Sequence, residues 1–433
     1  MRIIFDAVII EKVILRNWYN NGKKMKRVVV TGLGCLCAAG NSVDEAWQEI
    51  LAGRSAIKEI GSFDASDLDV KIAGEVRDFE PRSFLTFKEI KNYSRFVQLS
   101  IAAAKEAIED AQLTNVKNKE RYGCSIGVGI GDLGYIAETS QKLYNKGPKF
   151  VSPFFVPYVI ANMAAGNTAR YFGFKGPNLC PTTACSSGTH AIGEAWFYIT
   201  NGFADVMLSG GSESSINALA LAGFNNMKAL SRSSNPSEAS RPFDKNRDGF
   251  VLGEGSGMLV LESLEHAEKR GAKIYAELVG YGLSADAYHL TAPPPRGEGA
   301  KRCMDLAINV AKLSAKDIQY INAHGTSTYY NDLYESQAIE DVFGDHIKDL
   351  IVSSTKGVTG HCLGAAGGVE GVFLAKSIYH QIAPPTANLH EQDPNCLLNY
   401  APLEAVQCVI DAAMSNSFGF GGTNATIIMK NFS

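Results

Sequence analysis

The sequence has no apolar run of membrane-spanning length, no low-complexity tract and no block of like charges in its 433 residues. Near the start, the apolar stretch from Ala7 to Ile10 is flanked by Asp6 and Glu11, so it is too short for a signal peptide or a membrane span. No linker divides the chain. These absences predict one large domain, or two fused halves that share a core.

Paired cysteine spacings are absent too. The nine cysteines are scattered along the chain, and none belongs to a C-x-x-C pair. Together with the missing secretion signal, this favours free thiols in a reducing cytosol and predicts a cytoplasmic protein. A structural zinc site would need a full set of ligands with local pair spacings, so we expect no bound metal.

The chain carries only a small excess of one charge. It has 41 lysines and arginines and 45 aspartates and glutamates, which gives a net charge of −4. This balance argues against nucleic acid as the main partner and is compatible with a local basic patch.

Residues 1–25 stand apart from the pattern that follows. Met25 directly precedes a well-patterned strand, whereas nothing before it joins the later alternation of strands and helices. We therefore interpret 1–25 as an N-terminal extension and expect translation to begin at Met25. A short helical or strand appendage is the alternative.

Strand, turn and helix alternate along the rest of the chain. Val28–Val30 begins a buried strand that is predicted to end in glycines, Ser42 caps a helix start, and Ile101–Ala111 has the spacing of an amphipathic helix. The Gly32-Leu33-Gly34 segment resembles part of a dinucleotide-binding fingerprint, but its third glycine and its acidic residue are missing. The alternation predicts an α/β protein with mostly parallel sheets covered on both faces.

The second half of the chain repeats the order of the first. The strand at 276–282 echoes the opening strand, and the strand at 320–325 takes the place of the one that begins at 125. The repeat predicts two duplicated halves, 26–272 and 273–433, related by a pseudo-twofold axis.

Two helix starts carry the same repeat. Cys185-x-x-Gly188, with Glu194 six residues later, matches His361-x-x-Gly364, with Glu370 six residues later. A pseudo-twofold axis would bring the helix starts at Cys185 and His361 face to face.

Cys185 lies where a turn is predicted to open a buried helix. Unpaired N–H groups and the helix dipole at such a position favour an anion, so we expect a thiol pKa below its ordinary value. A small buried cysteine beneath a helix cap is the alternative.

Two of the eight histidines are candidates for chemistry. His324 ends an apolar strand and precedes the hydroxyl-rich loop 325–328, and His361 closes the segment 354–361. In open α/β sheets, functional groups gather beyond the carboxyl ends of strands. His190 and His266 are expected to be structural or surface residues.

Six segments, taken in order, resemble the β-ketoacyl-acyl carrier protein synthases, which are condensing enzymes of the thiolase fold. The segments are Thr183–Gly188, Arg241–Asp244, Arg247–Gly255, His324–Thr328, Lys356–His361 and Ser417–Asn424. Asp286–Pro293 and Asn331–Asp332 are similar to the synthase II branch of that family.

The resemblance implies a five-layer αβαβα fold made of two duplicated halves, with mixed, mostly parallel sheets. It also implies a decarboxylative Claisen condensation of an acyl-acyl carrier protein with malonyl-acyl carrier protein in fatty acid elongation. No cofactor is then bound by the enzyme, because phosphopantetheine enters on the carrier protein. The implied partners are an acidic acyl carrier protein and a second copy of the chain.

The family's roles transfer to matching residues. Cys185 would accept the acyl group, with an oxyanion hole formed by the N–H groups of Cys185 and Phe420. His324 and His361 would bind the malonyl thioester oxygen as neutral N–H donors. Lys356 would tune the field at His361 or form a structural ion pair with Glu370.

Further positions follow from the same resemblance. Phe224 and Phe420 would line and gate the acyl pocket, while Thr326 and Thr328 would bind the phosphopantetheine arm. The basic residues predicted to face the carrier protein are Lys88, Lys91 and Lys228. Tyr329-Tyr330 departs from the family, which usually has a proline and a small or apolar residue there.

Other functions fit the sequence less well. A thiolase would carry a second cysteine near the C-terminus, but the segment 418–421 has none. A non-catalytic chain-length partner would lack the nucleophile, and a cysteine hydrolase would leave His361 unexplained.

We predict that a chain beginning at Met25 keeps the activity and thermal stability of the full chain, because residues 1–24 do not join the repeated α/β pattern. Activity assays and melting curves of the two chains test this. A large loss of either property in the shorter chain would show that the extension is a working part.

Overall fold

The computed structural model of the protein describes residues 25–432, so the predicted extension lies outside the described residues apart from Met25. The strands of this part are β1 (Val28–Cys37), β2 (Lys58–Glu59), β3 (Ile72–Ala73), β4 (Tyr122–Gly127), β5 (Asn178–Leu179), β6 (Val206–Glu213), β7 (Gly255–Ser263), β8 (Ala276–Ala285), β9 (Tyr320–Asn322), β10 (Ile351–Ser353), β11 (Ile382–Ala383), β12 (Val406–Gln407), β13 (Ala412–Gly419) and β14 (Thr423–Lys430). The helices are α1 (Val43–Leu51), α2 (Phe87–Asn92), α3 (Arg95–Asp110), α4 (Leu133–Lys146), α5 (Phe155–Val159), α6 (Met163–Phe172), α7 (Ser187–Thr200), α8 (Ala218–Asn226), α9 (Leu264–Lys269), α10 (Glu298–Ala311), α11 (Tyr329–Phe343), α12 (Lys356–Thr359) and α13 (Ala366–His380).

Each half of the chain contributes five strands, and these are arranged with the same topology in both halves. Across the sheet, the strand order is β1-β7-β6-β4-β5 in the first half and β8-β14-β13-β9-β10 in the second. When the five strands of each half are numbered along the chain, both orders become 1-5-4-2-3. In each half one strand, β7 or β14, runs antiparallel to both neighbours, and the other four point the same way. The predicted duplication of mixed sheets is confirmed.

The sheets of the two halves join at their first strands. Val28–Val30 of β1 pairs antiparallel with Ala276–Leu278 of β8, so a single sheet of ten strands runs through both halves. Sequence patterns predicted the two sheets but not this junction, because pairing between edge strands leaves no periodicity of its own.

The helices form three layers around the sheets. Helices α7 and α13 lie between the two halves of the sheet, where Ile192 and Phe373 belong to one buried cluster with Leu259 and Ile427. Helices α3 and α6 cover the outer face of the first half, and α10 and α11 cover that of the second. The result is the predicted αβαβα arrangement.

Local signals in the sequence also appear as expected. Ser42 caps α1 by accepting a hydrogen bond from the Glu45 N–H group, and Ile101–Ala111 overlaps α3 almost completely. Among residues 25–432, none of the helices combines the length and the apolarity needed to cross a membrane.

The glycines of the opening segment do not end the strand as predicted. Gly32 and Gly34 lie inside β1, and a Cβ atom added to them would overlap the carbonyl oxygens of Ala107 and Ala103 on α3. Their role is therefore to let the helix backbone approach the strand. This packing explains the partial resemblance to a dinucleotide-binding turn.

The register predicted for the repeated helix starts is wrong by three residues. Ala184 and Leu363 both have positive φ angles, 52° and 48°, and each opens a short 3₁₀ turn that leads into α7 or α13. Cys185 therefore corresponds to Gly364. His361 lies before its turn, where its N–H group donates to Val251 O at 2.7 Å.

We predict that Gly34→Ala lowers the free energy of unfolding by about 1–3 kcal/mol, the usual cost of overpacking, because the new methyl group would meet the α3 backbone. Chemical denaturation measures the free energy of unfolding of the variant and of the wild type. Gly166→Ala in α6 is the control, because nothing lies within 4 Å of its added Cβ. Equal stability of the two variants would contradict the close approach.

Candidate active site

A cavity of ≈ 580 Å³ opens between the two halves of the protein. It brings together most of the residues predicted for the site. The predicted residues in its lining are Cys185, Phe224, Lys228, His324, Thr326, Thr328, His361 and Phe420. Cys185 and His361 therefore meet in one cavity as predicted, although His361 lies before its helix start and not at it.

Side-chain hydroxyls hold the strained turn around Cys185. The Thr183 N–H group donates to Ser187 Oγ at 2.9 Å, and that hydroxyl donates to the Ala184 carbonyl at 2.6 Å. Ser186 Oγ donates to the Thr183 carbonyl at 2.7 Å. These bonds offset the cost of the left-handed conformation at Ala184 and hold the backbone on both sides of Cys185.

The pKa of the Cys185 thiol differs from the expectation. Burial raises it to about 12, while the Lys356 charge and the backbone N–H groups of Phe420 and Cys185 act to lower it. The predicted lowering is therefore wrong. The thiol has too little contact with water for the helix start to outweigh the loss of hydration.

His324 is held by a carboxylate that sequence reasoning did not assign. Glu335 of α11 accepts the N–H groups of His324 and Gly325, each at 2.8 Å. Burial raises the pKa of Glu335 to about 7, and these hydrogen bonds oppose the rise. The sequence signal was an acidic residue on the buried side of a helix, which is costly unless it is satisfied.

The two predicted histidines face each other. The ring centroids of His324 and His361 lie 5.3 Å apart, with the planes at 83°, and the His361 ring also packs edge-on against Phe250. Burial, followed by the Lys356 charge, lowers both histidine pKa values well below 6.5. Both imidazoles are therefore neutral at pH 7.

Each neutral imidazole has a ring nitrogen without a protein partner. Within residues 25–432, the Nδ1 atoms of His324 and His361 are buried and accept or donate no hydrogen bond. Buried polar atoms are normally paired. The two nitrogens are therefore polar atoms that no group of the described residues satisfies.

Lys356 forms the predicted ion pair and also contacts the histidine strand. Its Nζ pairs with Glu370 and donates to the His324 carbonyl at 2.6 Å. The side chain is almost completely buried and acts on the cavity by its charge. This charge adds to the lowering of the His324 and His361 pKa values, and it opposes the rise that burial causes in the Cys185 pKa.

The two predicted phenylalanines lie together beside Cys185. Their ring centroids are 6.5 Å apart, and Phe224 also packs edge-on against Phe250 at 5.4 Å. Phe420 is followed by Gly421 and Gly422, with φ angles of 81° and 71°, a conformation that favours glycine. The Phe420 loop can therefore change its backbone with little steric cost.

The two predicted threonines form a hydroxyl pair in the cavity. Thr326 Oγ1 and Thr328 Oγ1 lie 2.8 Å apart. Asp332 fixes their loop by accepting the N–H groups of Thr326 at 2.9 Å and Ser327 at 3.1 Å. Tyr329 and Tyr330 continue the lining beyond the threonines.

The three predicted basic residues differ in their position relative to the cavity. Lys228 is exposed and lines the cavity. Lys88 and Lys91 are exposed on α2, and neither belongs to the cavity lining formed by the described residues.

A second carboxylate missed by sequence reasoning supports the cavity wall. Glu213, at the end of β6, accepts the N–H groups of Gly129 at 2.7 Å and Ile130 at 3.1 Å, and also that of Gly364 at 3.3 Å. It thus ties the 129–131 loop to the second 3₁₀ turn. Burial raises its pKa to about 7 against these bonds.

Within the described residues, no group of three or more histidine, cysteine, aspartate and glutamate side chains is arranged to hold a metal ion.

Two family models match the chain. The beta-ketoacyl synthase N-terminal domain matches residues 25–267, and the beta-ketoacyl synthase C-terminal domain matches residues 275–390.

Curated relatives are similar to this chain over almost their whole length. A 3-oxoacyl-acyl-carrier-protein synthase 2 from Synechocystis sp. is 48% identical over 409 residues, which cover 94% of this chain and 98% of the relative. The protein of the same name from Coxiella burnetii is 48% identical over 407 residues, with 94% and 98% covered.

Solved structures agree with these relatives. A beta-ketoacyl synthase from Burkholderia phymatum has a TM-score of 0.89 at 34% identity, covering 94% of this chain and all of its own. AntDE:AntF, a type II PKS acyl-carrier protein in complex with its ketosynthase bound to the hexaketide, has a TM-score of 0.86 at 33% identity, with 94% and 100% covered. The chain belongs to the β-ketoacyl synthase family.

Proposed function

We propose that the protein condenses an acyl-acyl carrier protein with malonyl-acyl carrier protein and releases 3-oxoacyl-acyl carrier protein, carbon dioxide and free carrier protein. The observation that carries this proposal is the convergence of Cys185, His324 and His361 on one cavity. Similarity to the 3-oxoacyl-acyl-carrier-protein synthases 2 supports a place in fatty acid chain elongation.

Acyl transfer to Cys185 is the first step. The sulfur attacks the thioester carbonyl of the incoming acyl group, and the carrier thiol leaves with the proton that Cys185 gives up. The backbone N–H groups of Cys185 and Phe420 act to lower the pKa of the Cys185 thiol, and in this proposal they stabilise the carbonyl oxygen as it becomes negative. The buried positive charge of Lys356 favours the same anionic species.

Decarboxylation of the malonyl group is the second step. Carbon dioxide leaves, and the electron pair moves onto the thioester oxygen as an enolate, which neutral His324 and His361 stabilise as N–H donors. The enolate carbon then attacks the acyl carbonyl on Cys185. The carbon–carbon bond forms, and the cysteine leaves as a thiolate.

The carrier protein delivers both substrates on a phosphopantetheine arm, and the enzyme holds no cofactor of its own. Thr326 and Thr328 offer hydroxyls to this arm, and Phe224 and Phe420 surround the acyl chain. Lys88, Lys91 and Lys228 form the basic patch for the acidic carrier, with Lys228 at the cavity itself. The similar ketosynthase solved with its carrier protein supports this partnership.

A homodimer and a cytoplasmic location belong to the same proposal. The region from α4 to α5 exposes large apolar side chains, including Tyr144 at 85% exposure, Phe150, Phe154 and Val156. Covering such a face with a second copy removes apolar surface from water. The nine free cysteines suit the reducing cytoplasm.

The division into halves at residues 272 and 273 also remains a proposal. It is supported by the boundary between the two matched family models, which falls between residues 267 and 275. A thiolase has less support, because the segment 418–421, where its second cysteine is expected, contains no cysteine.

We predict that Cys185→Ala abolishes condensation and leaves malonyl decarboxylation measurable, because only acyl transfer needs the sulfur. His361→Ala should still accept an acyl group, while its decarboxylation falls about 10²–10³-fold, the effect of losing one well-placed donor. Labelled acyl transfer and carbon dioxide release are measured on both variants. If His361→Ala decarboxylates normally and fails to acylate, the two roles are assigned the wrong way round.

We predict that the double variant Lys356→Met, Glu370→Gln moves the acid limb of malonyl decarboxylation to higher pH. Lys356 lowers the pKa of both histidines, which act as neutral donors, so activity is lost as pH falls through those pKa values. In the wild type, activity should be lost only at a pH well below 6.5. Removal of the Lys356 charge should raise the pH at which activity is lost. Carbon dioxide release is followed between about pH 5 and pH 8.

Lys376→Met is the matched control for that experiment. Lys376 is also buried and paired, with Asp44 at 3.0 Å, but it lies outside the cavity lining among the described residues. Its acid limb should coincide with that of the wild type. An unchanged limb in the double variant would contradict the electrostatic role of Lys356.

A further inference from the structure

Two adjacent tyrosines lie at the outer part of the cavity lining. Tyr329 and Tyr330 are 53% and 56% exposed, yet both line the cavity that contains Cys185. They directly follow Thr328, whose hydroxyl belongs to the pair described above. We call Tyr329 and Tyr330 the tyrosine wall.

A buried arginine fixes the first ring of the tyrosine wall. The Arg247 guanidinium lies 5.1 Å from the centre of the Tyr329 ring and donates to the carbonyls of Tyr329 at 3.0 Å and Thr328 at 3.3 Å. Arg247 is itself held by Asp393 at 2.7 Å. The ring thus rests on a charged support that is fully enclosed.

The second ring is held by its aromatic neighbours. Tyr330 packs edge-on against Tyr329, with centroids 5.2 Å apart, and lies 5.8 Å from Tyr334 on the next turn of α11. An edge-on aromatic pair contributes about 0.5–1.5 kcal/mol beyond the area that it buries, which favours these ring orientations. The tyrosine wall is therefore a preformed surface whose outer faces remain in contact with water.

We propose that the tyrosine wall binds the part of the phosphopantetheine arm that lies farther from the sulfur than the threonine pair, and thereby sets the preference for carrier-borne substrates over short thioesters. The inference rests on the proposed function. The arm must pass the cavity mouth for its sulfur to reach Cys185, and Tyr329 and Tyr330 are lining residues that are also more than half exposed to water.

The chemistry of the arm suits such a surface. It carries a dimethyl-substituted carbon between its phosphate and its two amide groups, so apolar and hydrogen-bonding parts alternate along its length. A tyrosine offers an apolar face and a hydroxyl to the same ligand. Because the rings are already fixed, little side-chain entropy is lost on binding.

The test compares two acyl donors on the variants Tyr329→Ala, Tyr330→Ala and Tyr330→Phe. One donor is an acyl-acyl carrier protein, and the other is the same acyl group on N-acetylcysteamine, which keeps only the amide nearest the sulfur. Acylation of Cys185 is followed by mass spectrometry over a range of donor concentrations, and melting curves check the fold.

For the carrier-borne donor, we expect KM to rise about tenfold in each alanine variant, the scale of truncating an aromatic contact, with little change in kcat. The short donor should react as with the wild type, because it does not reach the tyrosine wall. Tyr330→Phe should keep most of the affinity, since it keeps the ring. If Tyr329→Ala is unstable through loss of its contact with Arg247, Tyr330→Ala still provides the test, because the Arg247 guanidinium lies over the Tyr329 ring.

Tyr379→Ala is the control, because Tyr379 is 46% exposed on α13 and lies outside the cavity lining of the described residues. It should match the wild type with both donors. Equal losses with the two donors, or no loss with either, would overturn the inference. Failure of the wild type to acylate Cys185 from any donor would instead refute the proposed function.

Discussion

The close contact between the two central helices is the constraint on which the site depends. A Cβ atom added to Gly188 of α7 would lie 2.6 Å from the backbone nitrogen of Gly368 on α13, and one added to Gly257 of β7 would overlap the same part of α13. The helices therefore meet at backbone distance, which side chains of ordinary size would prevent. This contact brings Cys185 and His361 into one cavity, although they come from different halves of the chain.

Burial of the site acts in opposite directions on its two kinds of titratable group. It raises the pKa of Cys185 to about 12 and lowers those of His324 and His361 well below 6.5. Both effects favour the neutral form of each group. Lys356 is the buried cation that acts on all three, and it favours the cysteine thiolate and the neutral imidazoles alike. One charge thus supports both halves of the proposed reaction.

The sequence predicted the fold and the central residues because local patterns carried them. Alternating strands and helices indicated the duplicated α/β halves, and the motifs around Cys185, His324 and His361 marked the site. The support by Glu213 and Glu335 was missed, because a buried carboxylate held by backbone N–H groups leaves no spacing rule in the chain. The register of the repeat and the pKa of Cys185 were wrong because both depend on tertiary packing. A sequence motif specifies neither the backbone angles that set the register nor the loss of hydration that sets the pKa.

The correspondence of Cys185 with Gly364 has a consequence for symmetry. Both 3₁₀ turns lie near the pseudo-twofold axis, and a side chain added at Gly364 would overlap the backbone of Gly129 in the opposite half. Two equivalent nucleophiles therefore cannot occupy this axis together. A duplicated scaffold that packs this tightly must give its copies different tasks, one bearing the reactive side chain and the other yielding the space for it. The asymmetry of the chemistry is thus imposed by packing at two turns that share the same backbone conformation.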